Sequence, residues 1–160
     1  MDSSNKKSMT ARIPIVFIGL APVLLGSFLR FYDLSRGHPG LSIYPAISRN
    51  TSISFENWFY PSMFVDTSIL ADKPPLFFWV QGLFIQVFGT GNLPLRLPSA
   101  TASVISVGLI FLIVRRTHGR WPAFIAALFL AIIPLEVNFS RGIFLEPVST
   151  SLTLLTAYLV

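Results

Sequence analysis

Long apolar runs separated by polar segments dominate the sequence. Mostly apolar stretches cover residues 13–29, 97–114, 121–139 and 143–160, and each is about as long as a helix that crosses the hydrocarbon core of a bilayer. A shorter stretch at 75–88 is interrupted by Gln81, Gly82 and Gln86, which is more typical of an interfacial or re-entrant helix. The pattern predicts an all-α membrane protein with four transmembrane helices.

The segment between the first two long runs has a different character. Residues 30–95 mix aromatic residues and prolines with Asp33, Glu56, Asp66 and Asp72, so we expect one long outer loop that contains juxtamembrane helices. Loops of this length usually carry function. The sequence therefore divides into a polar tail, residues 1–12, and a transmembrane domain, residues 13–160. Because the sequence stops inside an apolar run, we expect further transmembrane helices to follow in a longer protein.

Basic residues predict the orientation in the membrane. The link RRTHGR at 115–120 contains three arginines and no acid, and the amino-terminal tail carries Lys6, Lys7 and Arg12. Short basic segments stay on the cytoplasmic side, and both can do so only if residues 75–88 do not cross. We therefore expect a plasma-membrane protein with a cytoplasmic amino terminus and an outer long loop. A cleaved signal peptide is the alternative for the first run, but no small-x-small cleavage site follows it.

Composition narrows the function classes. Of the 160 residues, 52% are hydrophobic and 12% charged, whereas soluble domains have about 25% charged residues. There is no cysteine, which excludes thiolate metal sites and cysteine nucleophiles. The net charge of +5 comes from arginines scattered between apolar runs, which do not form the basic face of a nucleic-acid binder. We therefore expect a membrane environment and no nucleic-acid partner.

Ionisable residues outside the basic segments gather on the predicted outer side. They include Arg30, Asp33, Arg49, Glu56, Asp66, Asp72, Lys73, Arg96, Arg141 and Glu146. Two interpretations stay open for those near helix ends: arginines that reach up to water with one salt bridge, or a polar site. Asp72 and Lys73 differ from the residues near helix ends, because Pro74 and Pro75, which follow them, fix the backbone and mark a helix start. A lysine held there can neutralise a phosphate as a point charge.

A series of motifs along the chain supports the interpretation of these residues as a polar site. In order they are LRFYDL (29–34), ISRN (47–50), NWFYPS (57–62), ADKPPLFFWVQ (71–81), FGTGNLPLRLPSA (88–100), VRRTHG (114–119) and SRGIFLEP (140–147). The series resembles the amino-terminal part of the GT-C membrane glycosyltransferases. The closest branch contains the protein O-mannosyltransferases and the lipid A aminoarabinose transferases.

The resemblance implies a function and a set of residues. It implies inverting transfer of a sugar from a polyprenyl-phosphate donor to a lipid, glycan or protein acceptor at the outer membrane face. By the same resemblance, Lys73 would lie near the donor phosphate, with Arg49, Arg96 and Arg141 as further substrate-binding residues. Glu146 and Asp72 are then the candidate catalytic carboxylates. No metal-ligand spacing appears, no cofactor is certain, and a divalent metal near the acidic residues stays open.

One departure from the family pattern concerns the general base. The acid that usually stands seven to nine positions before the helix arginine would fall on Gly40, Leu41 or Ser42. Either another acid replaces it, or the chain is a diverged relative, or the acceptor needs no strong base. An alternative function is therefore a non-catalytic membrane protein of this fold that binds a lipid-linked sugar or a protein partner.

Overall fold

The computed structural model describes residues 15–36, 43–64 and 70–160. Within these ranges the protein is helical and contains no strand, apart from one isolated β-bridge between Ser62 and Leu70. The prediction of an all-α fold is confirmed. The amino-terminal tail, Asp66 and the Gly40–Ser42 segment lie outside the described residues.

The described part contains eight α-helices and one 3-10 turn, Leu34–Arg36. The helices are α1 (Ile15–Phe31), α2 (Tyr44–Asn50), α3 (Phe55–Phe59), α4 (Leu76–Phe88), α5 (Asn92–His118), α6 (Arg120–Ile132), α7 (Pro134–Ser140) and α8 (Glu146–Leu159).

Two or three of these elements are long and apolar enough to cross a membrane. They are the helical segment Ile18–Arg36, which includes α1, and α5, with α6 and α7 forming a third if they are counted together. These apolar helices identify a membrane protein. α4 has 13 residues and α8 has 14. The interfacial placement of α4 and the fourth transmembrane helix at 143–160 therefore stay predictions.

α5 is the central helix and packs against α1, α4, α6 and α8. Small residues allow this close packing: Ala123, Ala127 and Ala131 repeat every four residues along α6 and are fully buried. On α1, a Cβ added to Gly19 would lie 2.6 Å from the Phe111 ring. The small residues of this bundle thus bring helix backbones together.

The segment predicted as the outer loop packs on the amino-terminal end of α5. Ile47, Phe78, Leu95 and Ile143 form the centre of this contact, and the fully buried Gln81 links three helices. Its amide donates to the Leu95 carbonyl and its carbonyl oxygen accepts from the Ser48 hydroxyl. With 27 residues, α5 is about 40 Å long. The segment predicted as the outer loop and the basic residues at the end of α5 therefore lie at opposite ends of the bundle.

The run at 121–139, predicted as one helix, is broken. α6 ends at Ile132, α7 begins at Pro134, and the two helices meet at an angle of 59°. The reason is local, because proline has no N–H for the i→i−4 bond and its ring clashes with the preceding turn. The predicted extent of the run agrees with the structure, but its straightness does not.

Candidate functional site

Asp72 and Lys73 lie on a short extended segment that leads into α4. The Ala71 N–H donates to the Pro61 carbonyl at 2.8 Å, which ties the segment to the end of the α3 region. α4 then begins at Leu76, directly after Pro74 and Pro75. The two prolines therefore mark a helix start, as the sequence predicts, and the charged pair is fixed just before it.

Lys73 is the exposed cation of this segment. Its Nζ lies 3.3 Å from Oδ2 of Asp72, and its side chain is 41% exposed. The hydrogen bond and the charge of Asp72, followed by Tyr44 and then Glu146, raise the pKa of Lys73 above its ordinary value. Glu146 is exposed at the first position of α8. Lys73 is thus paired with Asp72, and Glu146 is near enough for its charge to act on Lys73; we call these three residues the outer cluster.

A shallow cleft adjoins Lys73. It has a volume of about 180 Å³, and its other walls come from Phe59, Tyr60, Pro61, Leu70, Ala71 and Pro75. Phe59 and Tyr60 are 46% and 52% exposed. A cation at the edge of an aromatic and aliphatic cleft suits an amphipathic anion better than a free inorganic ion.

Arg141 and Arg96 hold the end of the first transmembrane segment. Nη1 of Arg141 donates to the Leu29 carbonyl at 2.8 Å and to the Tyr32 carbonyl at 2.7 Å. Nη1 of Arg96 donates to the Leu34 carbonyl at 3.3 Å, and Arg96 is only 5% exposed. Arg141 is close enough to Arg96 for their charges to interact. Neither arginine forms an ion pair with Glu146 in the described residues.

Arg49 stands apart from this arrangement. It occupies the last turn of α2, where its side chain is exposed. In residues 43–64 and 70–160, the structure shows no contact of the Arg49 side chain with the other predicted site residues. Its role as a substrate-binding residue stays a prediction.

The described ranges contain no group of three or more histidines or acids that could hold a metal ion.

A second ionisable network lies inside the bundle, and the sequence patterns did not single it out. Nε of Arg30 donates to Oγ of Ser103 at 2.7 Å, and that hydroxyl donates to Oε1 of Glu136 at 2.7 Å. Arg30 is fully buried. One signal in the sequence could have indicated Glu136. It is a carboxylate that lies two residues after a proline, within an apolar run.

Comparison with known proteins decides the family. The chain matches the family model described as Dolichyl-phosphate-mannose-protein mannosyltransferase over residues 72–160, which is more than half of its length. The chain belongs to this mannosyltransferase family. Five of the six predicted site residues fall within the matched region, and Arg49 does not.

Three curated relatives match this mannosyltransferase-family chain. It is 34% identical to the "Putative mannosyltransferase YycA" of Bacillus subtilis (strain 168), over 74% of this chain and 17% of that protein. It is 31% identical to the "Putative mannosyltransferase YkcB" of the same strain, over 86% of this chain and 19% of that protein. A third relative is the undecaprenyl phosphate-alpha-4-amino-4-deoxy-L-arabinose arabinosyl transferase 2 of Pseudomonas fluorescens (strain Pf0-1), 38% identical over 59% of this chain and 18% of that protein.

The chain therefore spans less than a fifth of the length of each of these relatives. No solved structure matches it significantly.

Proposed function

We propose that this chain forms the donor-phosphate end of a membrane glycosyltransferase that takes a sugar from a polyprenyl-phosphate carrier. The observation that carries the proposal is the position of Lys73: an exposed, protonated amine beside an aromatic cleft, on the segment that leads into α4. Membership of the mannosyltransferase family, and the lipid-linked donor in the name of one relative, support it.

The chemistry assigns different roles to the residues of the outer cluster. An acceptor hydroxyl attacks the anomeric carbon, the bond from that carbon to the phosphate oxygen breaks, and the lipid phosphate leaves with an added negative charge. A cation at that oxygen lowers the barrier, and we assign this role to Lys73. Asp72 accepts a hydrogen bond from Lys73 and orients it. Glu146 is the carboxylate assigned to take the proton from the acceptor.

Arg96 and Arg141 add positive charge on the same side. Backbone carbonyls hold both guanidinium groups, and their charges repel one another. An anion bound between this pair and Lys73 would relieve that repulsion, which favours a phosphate ligand. We therefore propose that the two arginines strengthen the field at the donor phosphate while they hold the end of α1.

The orientation is part of the proposal. The outer loop and the basic link lie at opposite ends of α5, and exposed aromatic rings of α3, Phe55 and Phe59, lie on the outer-loop side. Aromatic side chains favour the membrane interface. We propose an outer-face acceptor in the plasma membrane and a cytoplasmic amino terminus. In this cysteine-free chain, a cysteine at Glu56 should react with an impermeant reagent from outside, whereas one at Thr117 should not. The reverse labelling would contradict this orientation.

A substitution at Lys73 tests the donor role. In the complete protein reconstituted in liposomes, Lys73→Ala should reduce sugar transfer from a polyprenyl-phosphate donor by about 100-fold or more. Arg36→Ala is the matched control, because Arg36 is an exposed outer-side cation whose side chain is 84% accessible, and it should leave transfer unchanged. Unchanged turnover by Lys73→Ala would contradict the assignment.

Replacement of the Glu146 carboxylate separates turnover from binding. Glu146→Gln should abolish transfer and leave binding of the donor intact, because the amide cannot accept the proton. Donor binding without transfer by the unsubstituted protein would instead support a non-catalytic function.

A further inference from the structure

Arg30 is the most unusual ionisable residue of the described part of the chain. It lies in the last turn of α1, it is fully buried, and no step of the proposed transfer uses it. A charged side chain inside an apolar bundle destabilises the fold unless its donors find acceptors. The identity of those acceptors therefore indicates what Arg30 does.

Two of the acceptors are the carbonyl groups at the broken end of α6. Nη2 donates to the Leu130 carbonyl at 3.2 Å, and Nη1 donates to the Ala131 carbonyl at 2.9 Å. In a continuous helix the Leu130 carbonyl would accept from the N–H of residue 134. That residue is Pro134, which has no N–H. The guanidinium thus supplies a donor that the backbone lacks.

The remaining contacts reach α5 and α7. Nε of Arg30 donates to Ser103, which donates in turn to Glu136 in the first turn of α7. Glu136 also lies close enough to attract the charge of Arg30. Arg30 therefore bonds directly to the end of α6 and through one hydroxyl to the start of α7, so that it bridges the break from both sides.

The surrounding residues leave room for this arrangement. Nη1 also donates to the carbonyl of Gly26, one turn earlier on α1, at 3.2 Å. A Cβ on Gly26 would lie 3.3 Å from Nη1 and 3.5 Å from the Cβ of Ala131. The absence of a side chain at Gly26 thus leaves room for the guanidinium between α1 and α6.

The break between α6 and α7 determines the direction of α7 and of the segment that follows it. α7 leads to Arg141, whose Nη1 bonds to the Leu29 and Tyr32 carbonyls at the end of α1, and then to Glu146 at the start of α8. We propose that Arg30, Ser103 and Glu136 form a positioning network that holds the bend at Pro134 and so fixes where Arg141 and Glu146 lie. Its importance for sugar transfer rests on the proposed function, but its role in the bend does not.

A double-mutant cycle on Arg30 and Pro134 tests the network in this chain. Arg30→Met should lower the thermal midpoint in lipid nanodiscs by roughly 10 °C, since it leaves buried carbonyls and Glu136 without their donor and charge partner. Pro134→Ala restores an N–H for the Leu130 carbonyl. In that background the loss caused by Arg30→Met should shrink by about half or more. If Arg30→Met does not fold, Arg30→Lys replaces it in both backgrounds.

The bend itself is measured by pulsed electron spin resonance. The chain has no native cysteine, so spin labels can be attached at Trp121 and Asn138, which are both exposed and lie on either side of the break. Straightening the 59° bend lengthens the distance between their Cα atoms by about 3 Å. We expect that increase in the Arg30→Met/Pro134→Ala double variant.

Sugar transfer by the complete protein distinguishes a positioning role of the network from a role in stability alone. The double variant should regain about half or more of the lost thermal midpoint yet transfer sugar at least about 10-fold more slowly than Pro134→Ala, since Arg141 no longer meets α1.

The network would be overturned if Arg30→Met lowered the thermal midpoint equally in both backgrounds. It would also be overturned if the distance between the two spin labels were the same in all variants. Restored transfer in the double variant would overturn its positioning role. The first two measurements need no donor, so a protein without transfer activity would contradict the proposed function and leave the test of the network intact.

Discussion

Two groups of ionisable residues in this protein use charge in opposite ways. Inside the bundle, the donors of Arg30 are directed to backbone carbonyls and to Ser103, whose hydroxyl bonds in turn to Glu136, and the side chain is fully buried. In the outer cluster, Lys73 has one carboxylate partner and reaches solvent. A charge with satisfied donors and no access to water supports the fold, whereas a charge that reaches water at the membrane surface is available to a ligand.

Arg141 lies between these two cases. It bonds to carbonyls of the first transmembrane segment, as Arg30 bonds to those of α6, but it is only half-buried and is five residues from Glu146. We therefore expect its replacement to weaken both stability and donor binding, whereas replacement of Arg30 acts mainly on the fold and replacement of Lys73 mainly on the ligand.

The largest effect on stability among the remaining substitutions is expected at Glu136. Glu136→Leu should lower the free energy of unfolding by about 3 kcal/mol, because the buried Arg30 loses its nearby carboxylate. Glu136→Gln keeps an oxygen that accepts from Ser103 and should cost about 1 kcal/mol. Equilibrium unfolding in mixed micelles measures both. A Leu variant as stable as the parent would mean that the internal network contributes no more than an exposed charge.

A smaller and more local effect is expected at Gln81. Gln81→Leu removes the bonds to Leu95 and Ser48 and leaves their buried polar groups without this partner, at a cost of about 2 kcal/mol. Hydrogen exchange should then quicken in α2 to α4 and stay slow in α1 and α6. The matched control is Gln86→Leu on the same helix, where the side chain is exposed. Faster exchange throughout the bundle would show that the two regions do not unfold separately.

Two glycine substitutions compare a crowded position in the bundle with an open one. Gly19→Ala places a Cβ 2.6 Å from the Phe111 ring, so we expect a loss of about 1–2 kcal/mol through overpacking. At Gly108 a Cβ would meet nothing within 4 Å, and Gly108→Ala should be neutral or stabilising, because alanine is the better helix former. If both substitutions shifted the thermal midpoint in the same direction, the result would contradict the tight α1–α5 contact.

The smallest effect concerns pH. Because the hydrogen bond to Asp72 raises the pKa of Lys73, its stabilising interaction is complete below the ordinary lysine pKa of about 10.4. It is lost only as the pH rises through the higher value in the folded state. Between about pH 8, where the phosphate has lost its second proton, and about pH 10, binding of a polyprenyl phosphate should therefore stay constant. Asp72→Asn should move the loss to lower pH in a pH titration of binding. An unchanged titration in that variant would show that Asp72 does not hold the lysine.

Local features of this protein were predictable from sequence. Pro74 and Pro75 marked the start of α4, and the short basic segment at 115–120 between two apolar runs indicated the α5–α6 hairpin. The Asp72–Lys73 pair needs no distant partner, so its place at the head of α4 followed from the chain itself.

Long-range contacts were not predictable in the same way. Arg30 and the Ala131 carbonyl are 101 residues apart, and Arg141 and the Leu29 carbonyl are 112 apart. Pro134 shows in the sequence that a carbonyl loses its donor, but not which side chain replaces it. For this reason the internal network of Arg30, Ser103 and Glu136 emerged only from the packed helices.

The affinity of the complete protein for a polyprenyl phosphate tests most directly the claim that charge in the outer cluster serves the ligand. Lys73→Ala should weaken binding about 10-fold or more, the loss expected for one charge-assisted hydrogen bond, while its thermal midpoint stays that of the parent. Arg36→Ala should change neither quantity. Equal affinity of Lys73→Ala and the parent protein, or a loss of affinity matched by a loss of folding, would contradict the claim.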